Sequence, residues 1–319
     1  MKKIVITGIS SFIGFHLAKY FNKNEDFEVI GTVTKNITDY NGIQLTRLNI
    51  LKKERIIFEK LNLTDSNRVR AFIDVVRPNI WINHAGYAEN YGSSNYDLKK
   101  GMDINVYPLY NIYPALKQNG CEGIIITGTN AEYSYSDIAN KETDICFPTM
   151  PYGLSKLMET LSAKQLSDYY GLATRVARVY LPFGPLDSPK KLLPYLISQL
   201  KKNQSIELST CLQKRDFIYV EDLARGYGAL LGDFSRNSLF DIFNLCSGKA
   251  TQLKDLLLMI VRILDSNPEF LNIGARKIRP GETNVFYGSI QKAIDILDWK
   301  PLSLQEGLKH YINTMDHLL

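Results

Sequence analysis

Five short apolar runs punctuate the chain, at 3–7 (KIVIT), 28–33 (EVIGTV), 79–84 (NIWINH), 123–127 (GIIIT) and 174–180 (TRVARVY), with longer amphipathic stretches such as 66–77 and 152–170 between them. A strand covered on both faces is apolar throughout, and its parallel neighbour is reached through a covering helix, so this alternation is the signature of βαβ units. It predicts an α/β protein built on a doubly wound parallel sheet. Such a sheet takes ligands beyond the carboxyl ends of its strands, so the residues that follow each run carry the functional argument.

The 319 residues suffice for one large domain or two intimately joined ones, and 45% hydrophobic with 22% charged residues is ordinary for a globular enzyme. The pattern changes near residue 181, where Pro182, Pro185, Pro189 and Pro194 cluster. We therefore expect a dinucleotide-binding part at 1–180 and a smaller α/β substrate-binding lobe at 181–319, the chain being free to cross back. One awkward segment is 98–119, which reads as helical but contains Pro108 and Pro114, each predicting a kink or break.

A net charge of +5 from scattered lysines and arginines suits a small anionic substrate and not a nucleic acid, which calls for a clustered basic face. Cys121, Cys146, Cys211 and Cys246 lie far apart without metal-ligand spacing, so reduced thiols and no metal site are expected. The apolar start is broken by Thr7, Ser10 and Ser11 with no leader-type cleavage site after it, and the apolar stretch 256–264 is far short of a span of about 20 residues. These features predict a cytoplasmic protein with no membrane partner.

The first run leads directly into Thr7-Gly8-Ile9-Ser10-Ser11-Phe12-Ile13-Gly14. A dinucleotide loop needs a strand, a tight turn, backbone close to the pyrophosphate and a helix whose amino end faces the anion. Gly8 can make the turn and Gly14 lets the helix pack closely, giving the Rossmann-type reading. Ser11 occupies the middle position, where its β-carbon adds bulk but its hydroxyl can donate to a phosphate. Taken alone, the motif also fits a plain strand–turn–helix. In a dinucleotide site Ser11→Gly is expected to preserve or tighten binding. After the second run come Thr34, Lys35 and Asn36 with no acid, which favours NADP over NAD, Lys35 otherwise being a solvated loop residue.

Tyr152-Gly153-Leu154-Ser155-Lys156 opens a helix behind Pro151. The spacing of four puts Tyr152 and Lys156 on one face, about a turn apart. A phenol with a pKa of about 10 needs such a cation to exchange protons near neutrality. The pair also occurs as a surface aromatic beside a solvated lysine. Thr129, at the end of the fourth run, adds a hydroxyl able to bond the same substrate oxygen.

With these residues in place the chain resembles the extended short-chain dehydrogenase/reductases that act on nucleotide sugars. The likeness spans the chain: TGISSFIG, Asn83-His84-Ala85-Gly86, Asn105, Thr129 before Tyr133, YGLSK, RVYLPFGP at 178–185, QKRDFIYVEDLARG at 213–226, KIRPGE at 277–282 and LDWKP at 297–301. The resemblance implies Tyr152 as acid/base, Lys156 as the residue that binds the nicotinamide ribose and tunes the tyrosine, and Thr129 as orienter of the sugar oxygen. It implies a cofactor site of Gly8, Ser10, Ser11, Phe12, Ile13, Gly14, Lys35, Asn62, Leu63, Ala85, Gly86, Lys156 and Tyr180. The substrate, a nucleotide-diphosphate sugar, would meet Tyr87, Thr129, Asn130, Arg215 and Arg279. Asp222 reads as structural, and a homodimer is the usual assembly of such relatives.

Departures from the pattern bear on the reaction. Asn62 stands in place of an aspartate, and Asn83 in place of a frequent histidine, so His84 receives no role. The family's 4,6-dehydratases follow their threonine with Asp-Glu; here Asn130 and Ala131 follow, Glu132 is offset by one, and dehydration is not expected. Two reactions remain. One is NADPH-dependent reduction of a nucleotide-linked 4-keto-6-deoxyhexose in deoxysugar biosynthesis, with Tyr152 as proton donor. The other is an NAD-dependent 4-epimerisation with the cofactor retained. A non-catalytic dinucleotide-binding relative would lack the Tyr–Lys pair.

Overall fold

A computed structural model describes residues 1–236, 238–277 and 284–318. Its main sheet contains β1 (Lys2–Ile6), β2 (Phe27–Val33), β3 (Ile57–Lys60), β4 (Ile80–Asn83), β5 (Gly123–Thr129) and β6 (Ala173–Val179), with a seventh strand, Phe240–Leu245, at the edge. All pairings are parallel, and the order is Phe240–Leu245, β6, β5, β4, β1, β2, β3. The direction of winding reverses between β1 and β4, so the TGISSFIG loop opens at the switch point, where a doubly wound sheet binds its ligand.

The five expected strands are present within two residues of their expected ends. The sheet gains two strands that the apolar pattern did not show. Ile57–Lys60 is largely exposed at one edge, and Phe240–Leu245 breaks its apolar run with Asp241 and Asn244. The chain thus crosses back over residue 180. Helices α1 (Phe12–Asn22), α2 (Gly42–Lys53) and, much later in the chain, α8 (Val220–Gly232) pack over one face of the sheet, and Tyr227, Leu223 and Leu230 join the core formed by β1, β2 and α1. The opposite face carries α3 (Ser66–Val76), α5 (Leu109–Gln118) and α6 (Pro151–Tyr170). A further apolar cluster is built on α7 (Leu192–Lys201) and the helices Leu253–Ile263 and Leu304–Leu318, and Phe12 and Val220 join it from α1 and α8.

The awkward proline segment resolves into a short helix α4 (Leu98–Gly101), a π-helical turn at Met102–Val106, and α5 starting behind Pro108. Pro108 does end the preceding segment. Pro114 is accommodated inside α5, where the carbonyl that loses its donor is that of Tyr110. No helix among the described residues is long and apolar enough to cross a membrane.

Candidate active site

Gly8 turns the chain with φ +74°, and a β-carbon there would lie 3.0 Å from the Ala85 Cα. The loops after β1 and β4 therefore touch, with Ala85 N–H and His84 N–H both donating to the Thr7 hydroxyl at 2.8 and 2.9 Å. The glycine turn, the close backbone approach and the amino end of α1 at the switch point form a cradle that fits the pyrophosphate of a dinucleotide. Gly86 lies over Asn105, which accepts from Tyr87 N–H at 2.7 Å and donates to Ser155 Oγ at 3.1 Å from the π-helical turn.

Ser11 caps α1, its hydroxyl accepting from Gly14 N–H at 3.0 Å. The same oxygen lies 2.7 Å from His84 Nε2, while His84 Nδ1 lies 3.1 Å from Thr127 Oγ1, itself 2.7 Å from the Tyr227 hydroxyl. His84, which sequence reasoning left without a role, thus links the cofactor loop through β5 to α8. Burial, with the positive charge of Lys156 adding to it, lowers its pKa to about 3, so the ring is neutral. This arrangement reverses the expectation for Ser11→Gly: the change removes a helix cap and leaves His84 Nε2 without its partner. Arg47 is another residue without a sequence signal. It is 4% exposed and donates to Ser10 O at 2.9 Å and to Leu186 O at 2.6 and 2.9 Å, bracing the loop against the chain that follows β6.

At the end of β2, Lys35 is exposed with its ammonium 6.0 Å from the Tyr40 ring centroid. Lys60, at the end of β3, reaches the same turn and donates to Asn36 Oδ1 at 3.3 Å. Two cations, Lys35 and Lys60, flank the position beyond β2, and Asp39 stands in the turn that follows, its amide donating to Asn36 O at 3.0 Å. Asn62 is exposed and accepts from Thr64 N–H at 3.2 Å, whereas Leu63 is buried.

Pro151 starts α6, and Tyr152 follows it in the first turn, half-buried between the rings of Tyr91 and Tyr96 at centroid distances of 5.8 and 5.6 Å. A β-carbon on Gly153 would lie 2.0 Å from Ala131 O, so the start of α6 presses directly on the turn after β5. This brings Tyr152 beside the Thr129–Ala131 turn. Thr129 caps that turn, accepting from Ala131 N–H at 3.2 Å and donating to Asn130 Oδ1 at 3.3 Å, while Asn130 stays half-exposed. Glu132 points inward, accepting from Thr129 N–H, Thr160 Oγ1 and Arg178 Nε at 2.9 Å each.

Lys156 is buried and donates to Glu159, which also accepts from Asn83 Nδ2 at 3.0 Å; Asn83 in turn accepts from Trp81 Nε1 at 3.3 Å. Tyr152 has its pKa raised, first by burial; Lys156 opposes the rise, and Glu159, Tyr96 and Glu132 add to it.

The remaining expected residues lie apart from this cluster or outside the described residues. Tyr180 is 2% exposed among Tyr133, Cys246 and Phe286, and its hydroxyl has no partner among the described residues. Arg215 sits in a small sheet, paired with Thr251 and Phe286, and donates to Lys214 O at 2.8 Å. Buried Asp216 anchors that region by accepting from Ser247 and from the amides of Gly248 and Gly288. Arg279 lies outside the described residues. Asp222 is buried and accepts from Leu302 N–H at 2.9 Å, consistent with a structural place.

Comparison with known proteins decides the family. The NAD dependent epimerase/dehydratase family matches residues 4–246. This chain belongs to that family. The resemblance to extended short-chain dehydrogenase/reductases read from the sequence is borne out, and with it the Rossmann-type fold. Among family members, the UDP-glucuronate 4-epimerase of Thermodesulfobacterium geofontis is 26% identical over 318 residues, covering 97% of this chain and 94% of its own. The dTDP-4-dehydro-6-deoxyglucose reductase of Escherichia coli is 28% identical over 262 residues, covering 79% and 81%. The crystal structure of the Bacillus cereus UDP-glucuronic acid 4-epimerase, in complex with UDP-glucuronic acid and NAD, superposes with a TM-score of 0.84 at 21% identity, covering 99% of this chain and 100% of that one. This family assignment supports NAD(P)-dependent chemistry on nucleotide sugars.

Proposed function

We propose that the protein is an NADPH-dependent reductase of a nucleotide-linked 4-keto-6-deoxyhexose. The observation that carries the choice of cofactor and direction is the cationic turn at Lys35 and Lys60, where a 2′-phosphate is favoured over a free ribose hydroxyl. A bound nicotinamide dinucleotide supplies hydride to the C4 carbonyl carbon. Tyr152 gives its proton to the oxygen that gains charge, Lys156 holds the dinucleotide's ribose, and Thr129 with Asn130 orients the sugar. The pyrophosphate cradle is formed by Gly8, Ser10, Ser11, Phe12, Ile13 and Gly14, with Ala85 and Gly86 as its opposite wall. Asn62 and Leu63 border the adenine, and Tyr87 and Arg215 meet the substrate.

A second reading, 4-epimerisation with retained NAD, is supported by the near-complete coverage of the Thermodesulfobacterium relative, against 79% for the reductase. Cofactor preference separates the two. The reductase reading expects NADPH to bind at least about tenfold more tightly than NADH, and Lys35→Asp with Lys60→Ala to reverse that preference. Equal affinity in the unaltered protein would favour the epimerase.

We further propose a homodimer. Leu154, Met158, Leu161 and Tyr169 form an exposed stripe on α6 beside Tyr107 and Tyr110, the kind of apolar face that marks an interface. Leu161→Glu is expected to shift the protein from dimer to monomer in sedimentation; a monomer before substitution would refute this assembly.

A further inference from the structure

Lys156 is not the lone cation beside Tyr152 that the YxxxK spacing suggests. Three residues along α6, Glu159 is 1% exposed and takes two donors, the Lys156 ammonium and Asn83 Nδ2. Asn83 is held in turn by Trp81 from within β4. A buried carboxylate needs partners of this kind, and here one of them is the residue that tunes the tyrosine. An isolated ammonium next to a phenol draws it toward phenolate; an ammonium already neutralised by a carboxylate exerts a much weaker pull.

We propose that Glu159 is a positioning residue that holds Lys156 and offsets its charge, so that Tyr152 rests as a neutral phenol ready to give a proton. This inference rests on the reductive reading above. In reduction the hydroxyl proton passes from Tyr152 to the new alkoxide as hydride reaches carbon, the dinucleotide is oxidised, and solvent reprotonates the phenolate. Epimerisation must begin the opposite way, with Tyr152 taking a proton from the sugar. The groups facing Tyr152 fit the assignment. Its own helix contributes Lys156 and Glu159, the segment before α4 contributes Tyr91 and Tyr96, the turn after β5 contributes Glu132, and the loop after β4 contributes neutral His84 near Lys156. The direction of the Tyr152 shift agrees.

The test needs neither cofactor nor substrate. In protein carrying 13Cζ-labelled tyrosine, the resonance absent from Tyr152→Phe reports the ionisation of Tyr152. The wild-type midpoint is expected above the ordinary phenol value of about 10, and Glu159→Gln is expected to lower it by at least about one pH unit. Glu159→Met, which removes the charge without leaving a buried amide, should lower it likewise. A wild-type midpoint below about 9, or an unchanged midpoint in either folded variant, would overturn the role of Glu159. A shifted midpoint in a protein that fails to oxidise NADPH would instead strike the reductive reading and leave Glu159 in place.

Discussion

Two buried glutamates, Glu132 packed against α6 and Glu159 within it, are each paired with a cation, and they differ in how fully they are used. Glu132 is saturated: a backbone amide, a threonine hydroxyl and the Arg178 guanidinium, which also lies 4.4 Å over the Tyr133 ring, consume its oxygens. Glu159 holds a lysine that adjoins Tyr152, the proton donor of the proposed reduction. The planar fork of an arginine fixes a turn, whereas the point charge of a lysine on a flexible stem can serve a cofactor and a tyrosine. The saturated pair is scaffold, and the partly committed one is chemistry.

Breaking each side should therefore move a different observable. Tyr152→Phe is expected to lower kcat about 10²–10⁴-fold while leaving the thermal midpoint unchanged, measured by NADPH oxidation and circular dichroism. A marked loss of stability would put Tyr152 on the scaffold side. Glu132→Ala strands the Arg178 charge in the interior and should cost about 3–5 kcal/mol in urea denaturation. A near-neutral result there would mean that the turn after β5 does not depend on its acid.

The fold and the Tyr–Lys pair were legible because they rest on period and spacing. Apolar runs buried on both faces announce β1, β2, β4, β5 and β6, and Pro151 announces the start of α6. The edge strands were not legible: Ile57–Lys60 lacks an apolar run, and Phe240–Leu245 is tied to the sheet only by long-range pairing. Nor were the polar partners of the site. Nothing in a linear sequence joins Ser11 to His84, Arg47 to Ser10, or Asn83 to Glu159, because each contact spans tens of residues and exists only once strand ends and helices from distant parts of the chain have packed together. Pro114 does not break α5, because one missing donor leaves the other hydrogen bonds of the helix in place.

Smaller effects sharpen the same contrast. His84 has a lowered folded-state pKa of about 3, so between roughly pH 6 and 5 the unfolded chain binds a proton that the native state refuses. Stability should fall with acid in that window, and His84→Gln should remove about 1.4 kcal/mol per pH unit from the slope. An unchanged slope would contradict a neutral, hydrogen-bonded ring. Ser11→Gly should cost about 0.5–1 kcal/mol in stability and weaken dinucleotide binding several-fold, read by calorimetry. Tighter binding would show that the cap and the histidine contact are dispensable.

Isotopic labelling reads the direction of hydride transfer itself. With NADPH carrying deuterium on the transferable face of C4 and a nucleotide-linked 4-keto-6-deoxyhexose, reduction gives one oxidised dinucleotide per product and one deuterium at the sugar's C4. No net oxidation, together with inversion of C4 in an ordinary nucleotide sugar and no label in the product, would contradict it.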